Sequence, residues 1–206
     1  MIASNTPNRW HILLLISAFI VFCWSAIAPF DRFTWVLEVF PGIIGIVLLI
    51  VTHSRFRFTT LVYTLVALHV MILFVGGHYT YARVPPFNWL RDTFHLTRNH
   101  YDRLGHFAQG FVPAMIAREV LLRRSPLKRG KWLNWTILSF CLAISASYEL
   151  FEWAVAEFTG SNADAFLATQ GDVWDTQKDM FFALIGATVA LLLMTRWHDK
   201  QLKKLS

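Results

Sequence analysis

Charged side chains are scarce in this 206-residue chain, where Asp, Glu, Lys and Arg together make up 16%. Soluble domains carry about a quarter. That deficit excludes an ordinary water-soluble globule, and a hydrophobic content of 55% excludes intrinsic disorder. Cysteine is nearly absent. The two present, Cys23 and Cys141, sit inside apolar runs and read as buried hydrophobes, so no disulfide framework is expected. Internal repeats and low-complexity tracts are missing too, which removes the inverted-repeat signature of many transporters. What remains is a set of apolar stretches of about 17 to 23 residues, the length that crosses a bilayer.

Six such stretches can be read, at roughly 11–28, 33–52, 58–76, 104–122, 134–156 and 178–196. They predict an all-α polytopic membrane helix bundle, one integral membrane domain over 1–206, with both termini on one side. Ala26-Ile27-Ala28 imitates a leader cleavage site, but Pro29 follows it and the basic region before it is only Arg9 plus the terminus. The first stretch is therefore read as a span. Cytoplasmic loops retain an excess of Lys and Arg. Arg9, Arg55, Arg57, Arg123, Arg124, Lys128, Arg129, Lys131, Arg196, Lys200, Lys203 and Lys204 fall on the side of the termini, against Arg32, Arg83, Arg91, Arg98, Arg103 and Lys178 on the other. Both termini are accordingly expected on the cytoplasmic side. The net charge of +6 is then a matter of topology and of attraction to anionic lipid headgroups, not of nucleic acid, which would need a soluble basic face.

The acids distribute the other way. Of the thirteen, only Glu119 and Asp199 fall on the inner side. Two outer connections are long. The first, 77–103, lies in the run GGHYTYARVPPFNWLRDTFHLTRNHYDR that starts at Gly76; Pro85-Pro86 stops the preceding helix, and Trp89, Leu90 and Phe94 suit a short interfacial or re-entrant cap. The second, 157–177, has turn-formers around Ala165-Phe166-Leu167.

An ionisable side chain near the bilayer core costs about 2.5 to 3.5 kcal/mol, so each needs a partner, water or a metal. Glu149 and Glu152 are three residues apart and share one face of the fifth span. Asp102 stands one turn from His106 at the outer start of the fourth. Gly105 and Gly110 on that span allow close approach of another helix or of the loop. Asp172, Asp175 and Asp179 form an acidic stripe at the start of the sixth, in part as capping residues. Three helices thus bring carboxylates and a histidine to one membrane level, with His78 entering from the third. Such a set suits Zn, Mn, Fe or Mg, since thiolates are missing. The expected ligands are His106, Glu149, Glu152, Asp175 and Asp179, with His78 as a further candidate; Asp102 or Asp172 would orient a water.

Plainer readings exist for each. Glu149 and Glu152 could fasten helices by pairing with Arg103 or Arg91. His69, Glu38 and Glu119 read as packing or local pairing, and His53, His95, His100 and His198 as loop or tail residues with no role assigned.

With GGHYTY at 76–81, RNHYDRLGHF at 98–107, SYELFEW at 147–153 and GDVWDTQKDM at 171–180, the chain resembles the YjdF-like family of bacterial inner-membrane proteins over nearly its whole length. The resemblance implies a multi-pass membrane protein and no particular activity. The last segment, with Asp175, Asp179 and Gly186, is also similar to the end of VanZ-like membrane proteins, but the Asn expected mid-pattern is not evident here.

Three functions fit these residues. The first is a membrane-embedded, metal-dependent hydrolase or transferase, open to the outer leaflet and acting on a lipid or a periplasmic small molecule. The second is a proton- or cation-coupled transporter or channel, which would need polar steps on the inner side, where only Arg118 and Glu119 stand out. The third is a structural protein whose acids glue helices together.

Overall fold

The computed structural model describes residues 9–160 and 164–205. They are all-helical: α1 (Arg9–Ser25), α2 (Arg32–Thr52), α3 (Thr60–Tyr79), α4 (Pro85–Thr93), α5 (Tyr101–Arg124), α6 (Lys131–Thr159), α7 (Asp164–Leu167) and α8 (Asp175–Leu202). Four of these, α2, α3, α6 and α8, are long and apolar enough to cross a membrane. The six expected stretches coincide with α1, α2, α3, α5, α6 and α8. α1 is a shorter apolar helix of 17 residues, and α5 is long but carries charges toward both ends and the polar His106 and Gln109 between them. α5 escapes lipid by position, because it packs against α3, α6 and above all α8.

Two groups of three helices emerge. In one, α1 and α2 each lie along α3; in the other, α5, α6 and α8 pack mutually, and the α3–α5 contact joins the groups. The start of α1 and the end of α8 lie at the same end, since Trp10 bonds Thr64 near the start of α3, and the Gln201 side chain accepts from the Leu61 amide. This is called the terminal end below, and the opposite one the distal end.

Capping marks where helices start. Asp31 accepts from the Thr34 amide at 2.7 Å before α2, and Thr59 takes the same role before α3. Pro85 and Pro86 open α4, where a proline nitrogen leaves no donor unsatisfied. α4 has no buried residue, and Trp89, Phe94 and Leu96 on and after it are exposed. It lies over the distal end as an interfacial cap and does not dip between the helices.

Small residues set the closest approaches. At Gly110 the α5 backbone meets the carbonyl of Ala183, and at Gly186 the α8 backbone meets that of Phe107, so a side chain at either position would force the helices apart. After α3, Thr80 and Tyr81 are both left-handed, at φ 56° and 49°, a conformation costing a non-glycine residue about 1 to 2 kcal/mol. The turn reverses the chain and seats the Tyr81 ring between Gly76 and Gly105.

Candidate functional site at the distal end

The α8 aspartates are met first by arginines. Arg98, just before α5, reaches Asp175, Asp102 (3.4 Å) and Asp172 (3.6 Å); Arg103, one turn into α5, reaches Asp179, Asp175 (2.6 Å) and Asp172 (3.3 Å). Arg98 also donates to the Thr169 and Ala168 carbonyls. The two distal connections are stitched together by Asn99 and Gln170, whose backbone and side-chain amides bond reciprocally at 2.9 Å. Asp172 sits at the rim, where the Lys178 ammonium at 2.7 Å holds its carboxyl below the usual aspartate range. His100, which precedes α5, is kept below its ordinary value by burial and by Arg98 and Arg103.

Behind these pairs lies His106. Its Nε2 stands 3.5 Å from Asp102 Oδ1 and 3.8 Å from Asp179 Oδ1, and its Nδ1 lies 3.2 Å from Gln109 Oε1 and 3.7 Å from Glu149 Oε1. Asp102, His106 and Asp179 offer one ligand atom each within 4.8 Å of one another. Glu149 Oε1 is buried and has no hydrogen-bond partner. Across the bundle, Tyr148 donates to Glu38 at 3.2 Å.

Charge does not balance here. Glu38, Asp102, Glu149, Glu152, Asp175 and Asp179 are all buried, and the buried cations facing them are Arg98, Arg103 and, when protonated, His106. Buried carboxylates in such excess must take up protons or a cation. Four of these residues, Glu38, Asp102, His106 and Glu152, edge a cavity of about 230 Å³ that His69, Tyr81 and Tyr148 also line among apolar side chains. Its walls come from α2, α3, α5 and α6.

A family model described as "Predicted membrane protein (DUF2238)" matches residues 10–200. The chain belongs to this family. The chain is also similar to the "Inner membrane protein YjdF" of Escherichia coli (strain K12), 46% identical over 185 residues, which cover 90% of this chain and 88% of that protein. The resemblance drawn from the four motifs is thereby shown. No solved structure matches. This DUF2238 chain is a multi-pass membrane protein, and its relative carries an inner-membrane name.

The expected site residues fare unequally in geometry. Asp102, His106 and Asp179 converge, and Glu149 faces the other nitrogen of the same imidazole. Asp175 Oδ1 is shared by two guanidiniums, Asp172 is taken up by Lys178 and Arg103, and Glu152 stands on the cavity wall. His78 is elsewhere: its Nδ1 meets the Ser25 carbonyl at 3.0 Å and its ring lies on Trp24. The anticipated pairing of Glu149 and Glu152 with Arg103 or Arg91 is not what the described residues show, because Arg103 serves α8 and Arg91 pairs with its neighbour Asp92.

Three residues of the DUF2238 chain were underrated by sequence. Glu38, read as packing, enters the site through Tyr148. Glu119 is no mere local partner, for it accepts from the Thr59 amide and hydroxyl, from Arg123 at 2.7 Å and from His198 at 2.9 Å. His198, assigned to the tail, is fully buried and also lies 2.9 Å from Arg118 Nη1. Arginine can only donate, so His198 Nδ1 accepts and its Nε2–H donates to Glu119. The signal that could have revealed His198 was its position one helical turn beyond Met194, on the face α8 buries with Ala190 and Ala187.

Proposed function

We propose that the distal cluster is the divalent-metal centre of a membrane-embedded hydrolase or transferase, with the termini cytoplasmic and the site opening toward the outer leaflet of the inner membrane. The observation that carries this is the meeting of Asp102, His106 and Asp179 around one point, beside a buried carboxylate oxygen of Glu149 that lacks a partner. In this reading Nε2 of His106 and the two aspartates hold the ion. An imidazole bound through Nε2 carries its proton on Nδ1, where Gln109 Oε1 at 3.2 Å accepts it and orients the ring, with the Glu149 carboxylate at 3.7 Å adding its charge on the same side. A divalent ion there would polarise a scissile ester or phosphoryl group and acidify a water. Glu152, on the cavity wall, is placed to take a proton from that water, and Tyr148 to donate to a developing negative charge. Arg98, Arg103 and Asp172 position α8 against α5. The orientation rests on the Lys and Arg asymmetry between the two sides. A lipid-linked or small periplasmic substrate suits a cavity whose walls are mostly apolar and whose polar groups gather at one end.

The test is elemental mass spectrometry of the detergent-purified chain beside Asp102→Asn and Asp179→Asn variants with unchanged helical spectra. Stoichiometric divalent metal, lost in the variants, is the expected result. No metal in any of the three, with a melting temperature indifferent to chelator, would overturn the reading.

One observation favours a second reading. His69 lies on the cavity wall, and its Nε2 is buried without a partner. With the cluster around Arg118 and His198 it supplies more polar steps toward the terminal end than the sequence promised, as a proton- or cation-coupled transporter requires. Proteoliposome flux abolished by both His69→Ala and Glu149→Gln would favour this reading over the metal enzyme.

A further inference from the structure

A second site, independent of the distal one, is built at the terminal end. α1 and α2 both lie on α3 but barely on each other, and between them runs a crevice of about 320 Å³ lined by side chains such as Ile12, Leu15, Ala18, Ile46, Ile50 and Val66. The mouth of this crevice is polar. His11 Nε2 bonds Thr60 Oγ1 at 3.1 Å, His53 Nδ1 bonds the Tyr63 hydroxyl at 2.7 Å, and the His11 ring lies 4.5 Å from that of Tyr63. The remaining nitrogens, His11 Nδ1 and His53 Nε2, are buried and without partners. A buried imidazole nitrogen left unpaired costs free energy unless a ligand or water meets it.

His11 also lines an adjacent pocket of about 390 Å³, together with Arg57, Thr60, Trp197, Lys200, Gln201 and Lys204 among others. This pocket is cationic, and it stands at the start of α3, where the helix dipole adds further positive potential. Trp197 is half exposed beside it, as interfacial tryptophans are. An apolar slot, two unsatisfied nitrogens at its neck and a basic chamber beyond describe an amphiphile with an anionic head.

We propose that this composite site binds one anionic phospholipid, with an acyl chain between α1 and α2, its glycerol and ester oxygens at His11 and His53, and its phosphate against Arg57, Lys200 and Lys204. The commitment to phospholipid over free phosphate follows from adjacency, because the basic pocket and the apolar slot meet at His11, and a bare anion would leave the slot unfilled. The commitment to anionic lipid follows from the cations. Basic pockets at helix ends are where such headgroups dock.

Native mass spectrometry of the full chain in detergent, with added phosphatidylglycerol, phosphatidylcholine or inorganic phosphate, tests this. Phosphatidylglycerol is expected to stay bound at higher collision energy than phosphatidylcholine and to raise the melting temperature, which inorganic phosphate at equal concentration leaves unmoved. Lys200→Gln/Lys204→Gln, both on exposed positions, is expected to weaken phosphatidylglycerol binding by roughly thirtyfold while leaving the helical spectrum intact. Leu15→Trp, which fills the slot, is expected to weaken phosphatidylglycerol binding without changing the charge. Equal retention of the two lipids, or binding unaltered in both variants, would identify ordinary surrounding lipid and overturn the proposal. A melting shift reproduced by phosphate alone would overturn the acyl-chain part and with it the phospholipid assignment.

Discussion

The protein holds two buried polar clusters, one at each end of α5, and they are built on opposite principles. At the terminal end, Glu119 and Asp199 face Arg118, Arg123, Arg129 and His198, and Glu119 alone accepts from Thr59, Arg123 and His198. Negative charge there is outnumbered, and both nitrogens of the buried His198 are bonded. At the distal end, six buried carboxylates outnumber Arg98, Arg103 and His106, and Glu149 keeps an oxygen without a partner. Burial costs both clusters solvation, but only the first recovers it fully within the chain. A satisfied cluster is a clamp; an unsatisfied one is waiting for something, be it protons or a cation.

The contrast can be broken most forcibly at the clamp. Glu119→Leu removes the acceptor of Arg123, of His198 and of the Thr59 amide and hydroxyl, and should cost about 3 to 5 kcal/mol, on the order of 10 °C in a detergent melt, with metal content per folded chain unchanged. Next in size, Gly110→Val drives a side chain into the Ala183 carbonyl and should cost about 1 to 3 kcal/mol. Because it separates α5 from α8, it should reduce metal content as well as the melting temperature, which Glu119→Leu should not. Glu149→Gln sharpens the distinction from the other side. It replaces a buried carboxylate one of whose oxygens has no hydrogen-bond partner by an amide of the same shape, so the metal-free chain should melt no lower than the parent, while metal affinity falls by about 10- to 100-fold. The smallest effect is at the rim. Asp172 is depressed by Lys178, so its contribution is complete above the ordinary aspartate range and fades as pH falls through the lowered value. Lys178→Met should therefore flatten the acid limb of a stability profile recorded between neutral pH and about pH 3, with little change at neutrality.

The helices were legible because bilayer thickness is a length written into the apolar runs. Their ends were less so. α5 starts three residues before the apolar stretch at 104, and α8 extends from Asp175 to Leu202 where hydropathy stops at 178 and 196. The extra turns are the polar ones, held by ion pairs that no hydropathy window registers. In the site, the one-turn spacing of Asp102 and His106 and the shared level of Asp179 and Glu149 could be read from helical periodicity. What could not be read was which cation would claim which acid. Arg98 and Arg103 reach across to α8 over more than seventy residues of chain, and a guanidinium at the end of a flexible side chain has no periodicity to betray its target. His78 misled for the same reason: helical phase put it at the right level, and the short turn from α1 to α2 gave it Ser25 and Trp24 instead.

The polarity of α5 also bears on how the protein is made. Asp102, Arg103, Arg118 and Glu119 all lie on that one helix, toward its two ends, and α5 is not among the helices apolar enough by composition to cross a membrane, so its insertion into lipid carries a cost. The partners that offset this cost reside chiefly on α8, and Asp179 follows Arg103 by 76 residues. During synthesis α5 therefore emerges well before the helix that makes it compatible with lipid. It cannot partition into the bilayer as a solitary segment in the way α2 or α3 can. A chain truncated before α8 would expose α5 as an orphan segment to membrane quality control, so the final helix decides the fate of one made long before it.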